Sequence, residues 1–284
     1  MTYSKRFKEI VKVLAKYGFR FLVYTKNHNR KKSPENLRKA FEELGPTFIK
    51  IGQILSSRPD ILPSQYIKEL SKLQDDVPPE NYESINKVFF DEFNKNIESC
   101  FRYFEKTPLA SGSIAQVHNA ILKNGKNVVV KIQRPNIKEQ METDIYILYR
   151  IIKLTKIKFK ESLIDPEEAL DELLFSTRQE LNFNLEAKNT LKFKKLNENI
   201  NFCYVPYIVN ELSGNKILTM EKIYGFKVNN IEKLKKENYN LQNLGKNLAL
   251  SFFKQVFSDG FFHADPHPGN IMISDKKICF LDFG

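Results

Sequence analysis

Apolar residues recur at helical spacing through the first hundred positions. Phe7, Ile10, Leu14, Tyr17, Phe21 and Tyr24 form one stripe, with Lys5, Lys8, Lys12, Lys16 and Arg20 opposite, which predicts an amphipathic helix over residues 3–25. Such a helix either lies on an anionic membrane surface or docks on a core with its basic face outward. A polar linker from Asn27 to Ser33 follows, and Ser33-Pro34 reads as N-cap and first helical position of a helix reaching about Leu44. Gly45-Pro46 breaks it. The next helix carries Phe48, Ile51, Ile54 and Leu55 and ends near Arg58, and another runs from about Ser64 to Gln74. A last one, from about Tyr82 to Cys100, puts Ile85, Val88, Phe89, Phe93 and Ile97 on one face. No strand is predicted before Phe101.

There the pattern changes. Phe101 to Phe104 reads as a strand, Pro108 to His118 as a small-residue loop running into a second strand, and Val128 to Gln133 as a third after a turn at Lys123 to Asn127. The small side chains of Ala110, Ser111, Gly112 and Ser113 would let backbone N–H groups approach phosphates closely. Lys131 ends a run of three valines, and an ammonium inside a sheet is costly unless it meets an anion. Helices are predicted over 137–156 and, from the start signal Asp165-Pro166, as one element to Leu196. Glu180 and Glu186 then lie nearly two turns apart and could face the same side. Two strands follow, Tyr204 to Val209 and Lys216 to Gly225, around a turn at Ser213 to Asn215. The backbone from Glu221 to Ile223 reads as a hinge able to bind an adenine edge. A helix from about Leu241 to Ser258 leads into the last stretch.

That stretch carries the chemistry. Asp265 and Asn270 are separated by four residues, and two short apolar strands joined by a turn at Ser274 to Lys277 return the chain to Asp282-Phe-Gly. The hairpin brings Asn270 and Asp282 to one end of a ribbon. Phosphoryl transfer needs two oxygen ligands for Mg²⁺ on a nucleotide's phosphates, with a carboxylate beside them to orient the acceptor. The order D-x-x-x-x-N, then D-F-G, is the second half of the protein-kinase signature, and strand, small-residue loop, strand, turn and lysine-bearing strand is the layout of a kinase N-lobe. Such a lobe sets a helix glutamate against the strand lysine, and Glu186 is the candidate.

Composition narrows the setting. A chain of 284 residues with 42% hydrophobic and 28% charged residues can bury a full core. Its apolar runs are too short for a transmembrane helix, and the lysines near the N-terminus interrupt any signal-peptide core. Cys100, Cys203 and Cys279 are far apart, which argues for buried thiols in a reducing, cytoplasmic setting. The net charge of +11 suggests an anionic partner, either a nucleotide or acidic lipid headgroups; no motif accompanies it that would favour nucleic acid.

Together these residues resemble the UbiB (ADCK) atypical kinase-like family over about residues 35–284. The motifs are Lys50-Ile-Gly-Gln53 with Ser57-Arg-Pro-Asp-Ile-Leu-Pro63, Ala110 to His118, Val130-Lys-Ile-Gln-Arg-Pro135, Glu180 with Glu186-Ala, His263 to Asn270, and Asp282-Phe-Gly. The resemblance implies an α+β, protein-kinase-like fold with a five-stranded N-lobe sheet. It implies a helical extension over 1–100, an N-lobe with inserted helices over 101–225, and the start of a C-lobe over 226–284. It further implies ATP with Mg²⁺, ATPase or small-molecule kinase activity, and a role in isoprenoid-quinone or lipid metabolism on the inner face of the cell membrane, beside quinone intermediates and other biosynthetic proteins. On this basis Lys131 holds phosphates, Glu186 pairs with it, Asn270 and Asp282 ligate the metal, and Asp265 stands in the place of a catalytic base. Lys50 and Gln53 lie over the active site, with Glu180 as partner of Lys50.

Three departures from the family pattern stand out. The loop usually rich in alanine reads Ala110-Ser-Gly-Ser113, Asn182 replaces an aspartate two residues after Glu180, and Gly284 closes the sequence directly after the metal aspartate. The last predicts an incomplete C-lobe with exposed apolar surface. Two rival readings are a nucleotide-binding scaffold without catalysis and a peripheral lipid-binding protein.

Overall fold

The computed structural model describes residues 3–19, 33–73, 77–155 and 166–284. The helices α1 (Tyr3–Lys16), α2 (Pro34–Leu44), α3 (Pro46–Ser56), α4 (Ser64–Leu70), α5 (Tyr82–Phe93) and α6 (Ile97–Cys100) come first. They are followed by β1 (Phe101–Phe104), β2 (Ala110–Ser111), β3 (Ala115–Leu122), β4 (Asn127–Gln133), α7 (Ile137–Thr155), α8 (Pro166–Glu180) and α9 (Phe183–Leu196). The remainder is β5 (Cys203–Tyr204), β6 (Ile217–Glu221), β7 (Phe226–Lys227), α10 (Ile231–Lys236), α11 (Leu241–Lys254), β8 (Ile271–Ser274) and β9 (Lys277–Phe280). The α+β class follows. The chain divides into two compact units, Met1–Ile85 with Pro108–Val117 and Gln133–Leu181, and Asn86–Thr107 with His118–Ile132 and Asn182–Gly284.

The first unit is built on α1. Ile10, Val13 and Leu14 are buried with Phe41, Phe48 and Ile51, so the stripe docks on a core while Lys5, Lys8, Lys12 and Lys16 stay exposed. Arg6, on the inward side, makes a bidentate pair with the fully buried Asp144 at 2.7 Å and donates to the Leu44 carbonyl. The predicted continuation through Arg20, Phe21 and Tyr24 lies outside the described residues, as do most of the linker at 27–32, Gln74, Lys156 and Asp165. Gly45, at φ 91°, takes the left-handed conformation that ends α2, and Pro46 opens α3.

In the second unit β4 alternates as its sequence demands: Val128, Val130 and Ile132 are fully buried, and Val129 and Lys131 take the other face. β1, β3, β4 and β6 follow one another in a sheet, with β2 paired to β3. Gly125 (φ 85°) closes the β3–β4 hairpin. A second sheet runs β5-β9-β8-β7, and Asp275 and Lys276, both at positive φ, make the tight β8–β9 turn.

Four predicted elements differ. The helix expected over Tyr82 to Cys100 breaks at Asn94 (φ 53°), and Asn86 accepts from the N–H of Ile97 to start α6. The helix expected from Pro166 to Leu196 breaks at Leu181-Asn182, where the Asn182 side chain accepts from Leu185 N and caps α9. Glu180 and Glu186 are therefore not two turns of one helix. The fifth strand of the first sheet is Ala110–Ser111 rather than Tyr204 to Val209. Within that later segment only Cys203–Tyr204 is a strand, and it runs parallel to β9 in the other sheet. Finally, α11 stops at Lys254 and passes into a wide π-helical turn, Gln255–Asp259. Around it Leu250, Phe253, Val256, Phe257 and Phe262 are exposed. No helix among the described residues is long and apolar enough to cross a membrane.

Candidate active site

β4, α9 and the β8–β9 hairpin converge in the second unit. Lys131 Nζ donates to Glu186 Oε2 at 2.9 Å and to Asp282 Oδ1 at 3.3 Å, and lies 5.0 Å from the centre of the Phe183 ring. Glu186 is 2% exposed, in the first turn of α9. Burial disfavours its charged form, the Lys131 ammonium opposes that effect and the Asp282 carboxylate reinforces it, leaving the carboxyl pushed up to about 7. Burial also pulls the Lys131 ammonium down, but the two carboxylates outweigh it and its pKa is raised. One ammonium thus serves two acids.

The hairpin sets the rest. Ile271 is opposite Phe280, and Leu281 N donates to the Asn270 carbonyl at 2.8 Å, so Asn270 and Asp282 stand at the same end. Asp282 has φ 61°, an uncommon value for a residue with a side chain, and costs about 1–3 kcal/mol. Asn270 Nδ2 donates to both the carbonyl and Oδ2 of Asp265 at 3.2 Å, which orients an otherwise exposed carboxylate. Its Oδ1 is the amide's acceptor end. Among the described residues no group of three or more His, Cys, Asp or Glu is placed to hold a metal ion. A hard cation that keeps its waters and takes one or two protein oxygens beside a phosphate fits this donor set, and a thiolate or imidazole metal does not.

Two residues outside the predicted set hold the Asp282 segment. His263 Nε2, which must carry the hydrogen, donates to the Leu281 carbonyl at 2.7 Å, while its buried Nδ1 has no partner. Asn189 Nδ2 donates to the Phe283 carbonyl at 2.9 Å. The spacing Glu186, Asn189, Phe193 along one helix face was the available signal, and His263 belongs to a quoted motif.

At the hinge two backbone amides already have partners. Glu221 N donates to the Tyr207 carbonyl and Lys222 N to that of Asn127, so neither amide is open to an adenine. The Glu221 carboxylate accepts from Tyr204 OH at 2.6 Å and from Tyr207 N. Ile223 is half-buried. Cys203 and Cys279 are buried; burial pushes the Cys203 thiol up to about 12 and raises that of Cys279 further, which makes both inert.

Within the first unit, Lys50 Nζ meets Glu180 Oε1 at 2.7 Å, and Gln53 Nε2 makes a long 3.5 Å contact with the Leu73 carbonyl. Glu180 Oε2 is buried without a partner, as are the hydroxyls of Thr47 and Thr177, one turn from Lys50 and Glu180 respectively. Ala110 and Ser111 form β2, and Ser113 is buried. Gly112 N donates to the Ala115 carbonyl at 2.8 Å, so that amide is already used inside the loop. Gly112 is also absent from the glycines with positive φ.

A family model, the ABC1 atypical kinase-like domain, matches residues 72–284. An uncharacterized protein in the hydrogenase 1 5′ region of Clostridium pasteurianum is 61% identical over 279 residues, 98% of this chain and 53% of its own length. A probable protein kinase UbiB of Shewanella baltica (strain OS185) is 41% identical over 249 residues, 87% of this chain and 45% of its own length. A Mycobacterium tuberculosis protein solved in complex with erythromycin is similar in structure, with TM-score 0.60 and 30% identity over 85% of this chain and 61% of that one. The chain spans about half the length of the two sequence relatives.

Proposed function

The chain belongs to the ABC1 atypical kinase-like family, and from that premise we propose that it binds ATP with Mg²⁺ and transfers the terminal phosphoryl group to water or to a small acceptor. The observation that carries the reading is Lys131 held between the buried Glu186 and the exposed Asp282, with Asn270 at the same hairpin end.

In this reading Lys131, kept charged by its two carboxylates, holds the α- and β-phosphates, and Glu186 keeps the ammonium in place. Asn270 Oδ1 and the Asp282 carboxylate would hold Mg²⁺, which when bound neutralises charge on the phosphate oxygens. Asp265, oriented by Asn270, accepts the proton of the attacking hydroxyl or water. Backbone N–H groups of Ala110, Ser111 and Ser113 in the loop around Gly112 receive phosphate oxygens, and Glu221, through its carbonyl, and Ile223 offer their backbone to the adenine. Lys50, Gln53 and Glu180 form a regulatory group in the extension. The acceptor class is an isoprenoid or quinone intermediate, and the exposed Lys5, Lys8, Lys12 and Lys16 give the protein an electrostatic attraction to anionic headgroups at the inner face of the membrane.

Phosphate release from Mg²⁺·ATP, lost in both Lys131→Ala and Asp282→Asn, is the expected result. The rival reading is a nucleotide-binding scaffold without catalysis. ATP-dependent thermal stabilisation with no release above the two variants would select it and overturn the enzymatic one.

A further inference from the structure

We propose that Arg134 is the positioning residue of the small-residue loop, fixing the backbone at Ser111 and Gly112 in the form that accepts nucleotide phosphates. The inference rests on the ATP-binding reading above.

Arg134 follows β4 and is only 5% exposed. Its guanidinium is spent entirely on two segments of the same unit. Towards the loop, Nε donates to the Gly112 carbonyl at 2.8 Å and Nη2 to Ser111 Oγ at 2.9 Å. Towards the segment that precedes α5, Nη1 donates to Glu80 Oε1 at 2.9 Å, and Nη2 to the carbonyls of Pro78 at 2.9 Å and Val77 at 3.2 Å. Its own backbone N–H donates to the Ile114 carbonyl at 2.8 Å.

The two segments are also tied directly. Val77 N donates to the Ser111 carbonyl at 3.1 Å, and the fully buried Gln116 accepts from Glu80 N at 2.9 Å. A planar fork reaches all these acceptors at once, and a lysine ammonium in its place has neither the span nor the directions.

The consequence for binding follows from the loop's composition. Small side chains give Ala110 to Gly112 little packing of their own, so beyond the β2–β3 pairing their backbone needs an outside constraint to hold one conformation. Without it nucleotide binding would have to pay the ordering entropy. Arg134 removes that cost in the free protein by holding a carbonyl and a hydroxyl of two successive loop residues. It also makes the loop sensitive to the Val77–Glu80 segment, whose one charged contact with it is Glu80.

The test uses the full chain, with Arg134→Lys and, as a milder change outside the loop, Glu80→Ala. Two quantities are read: the Kd for Mg²⁺·ATP by calorimetry, and amide hydrogen exchange in the ligand-free protein. Arg134→Lys should weaken ATP about tenfold or more, the scale of one lost charge-assisted hydrogen bond. Exchange should accelerate over residues 109–115 while α9 keeps its wild-type protection. Glu80→Ala should show the same pattern at about threefold. An ATP Kd unchanged in both variants overturns the inference, and so does exchange that rises uniformly through the chain. Should Arg134→Lys fail to fold, Glu80→Ala decides on the same two criteria. A wild-type chain with no ATP affinity sinks the functional reading and this inference together, whereas wild-type binding equalled by the variants sinks the inference alone.

Discussion

Asn189 reaches the Phe283 carbonyl from the same face of α9 on which Glu186 reaches Lys131. Phe193, one turn further along that face, sits 4.8 Å from the Phe283 ring, centre to centre. One helix therefore fixes the lysine through a carboxylate and the segment carrying Asp282 through an amide and a ring. Asn189→Ala should lower the unfolding free energy by about 1 kcal/mol, the net worth of one such hydrogen bond, measured by urea denaturation. It should also raise the Mg²⁺ concentration needed for ATP binding, because Asp282 is then less well held. Unchanged Mg²⁺ dependence would mean that β9 alone positions Asp282.

The Lys131–Glu186 pair makes a sharper stability prediction. Lys131→Met leaves a carboxyl that is 2% exposed with no cation beside it, at a cost of about 3–5 kcal/mol. Lys131→Met with Glu186→Gln removes the charge as well as its partner, and the double variant should be more stable than Lys131→Met alone. At pH 8 the wild-type pair is ionised, because Glu186 is raised only to about 7 beside Lys131; in Lys131→Met the loss of the ammonium raises the carboxyl further, so part of the cost is met by proton uptake. Additive losses would show that the two side chains do not interact energetically.

Glu186 also gives stability a pH dependence. Its carboxyl is raised from 4.5 to about 7 in the folded chain, so the folded state keeps a proton that the unfolded state has released. That contribution is complete below pH 4.5 and lost as pH rises to about 7. Glu186→Gln removes it. With a chelator present, the stability of wild type minus that of Glu186→Gln should fall across this window and stay level above it. A flat difference would mean that Lys131 holds Glu186 ionised throughout.

What the sequence disclosed depended on whether a residue's role was set locally. The β8–β9 hairpin was legible because two short apolar runs flank a four-residue polar turn, and that register brings Asn270 and Asp282 to the same end. Lys131 was legible because an ammonium after three valines demands a counter-charge. The break at Asn182 was not, since helical periodicity on both sides hides a cap. An asparagine that looks like a missing carboxylate turns out to be an N-cap, a role in which aspartate and asparagine are nearly equivalent. The partner of the Glu221 amide was not legible either: it goes to Tyr207, a long-range contact that no local pattern announces. Arg134 was visible in a motif, but its five acceptors are scattered over thirty-six residues of sequence.

Gly52 sits between Lys50 and Gln53 on α3, and packing explains why a glycine stands there. A Cβ at this position would lie 2.8 Å from Phe41 Cδ2 and closer still to Leu73 Cδ1, and both side chains are only 6% exposed. Gly52→Ala gains up to about 1 kcal/mol of helix propensity but overpacks two buried neighbours, at about 1–3 kcal/mol. The second effect should win, and the variant should be less stable than wild type. Leu73→Val shortens the nearer neighbour and alone should cost about 0.5–1.5 kcal/mol. Combined with Gly52→Ala it should recover stability, so that the double variant melts above Gly52→Ala. The displacement should also reach Gln53, whose amide touches the Leu73 carbonyl, and Lys50, one turn of the helix away from that contact and joined to Glu180. If Gly52→Ala is as stable as wild type, α3 has room to move, and the glycine is not required by close approach of α3 to its neighbours.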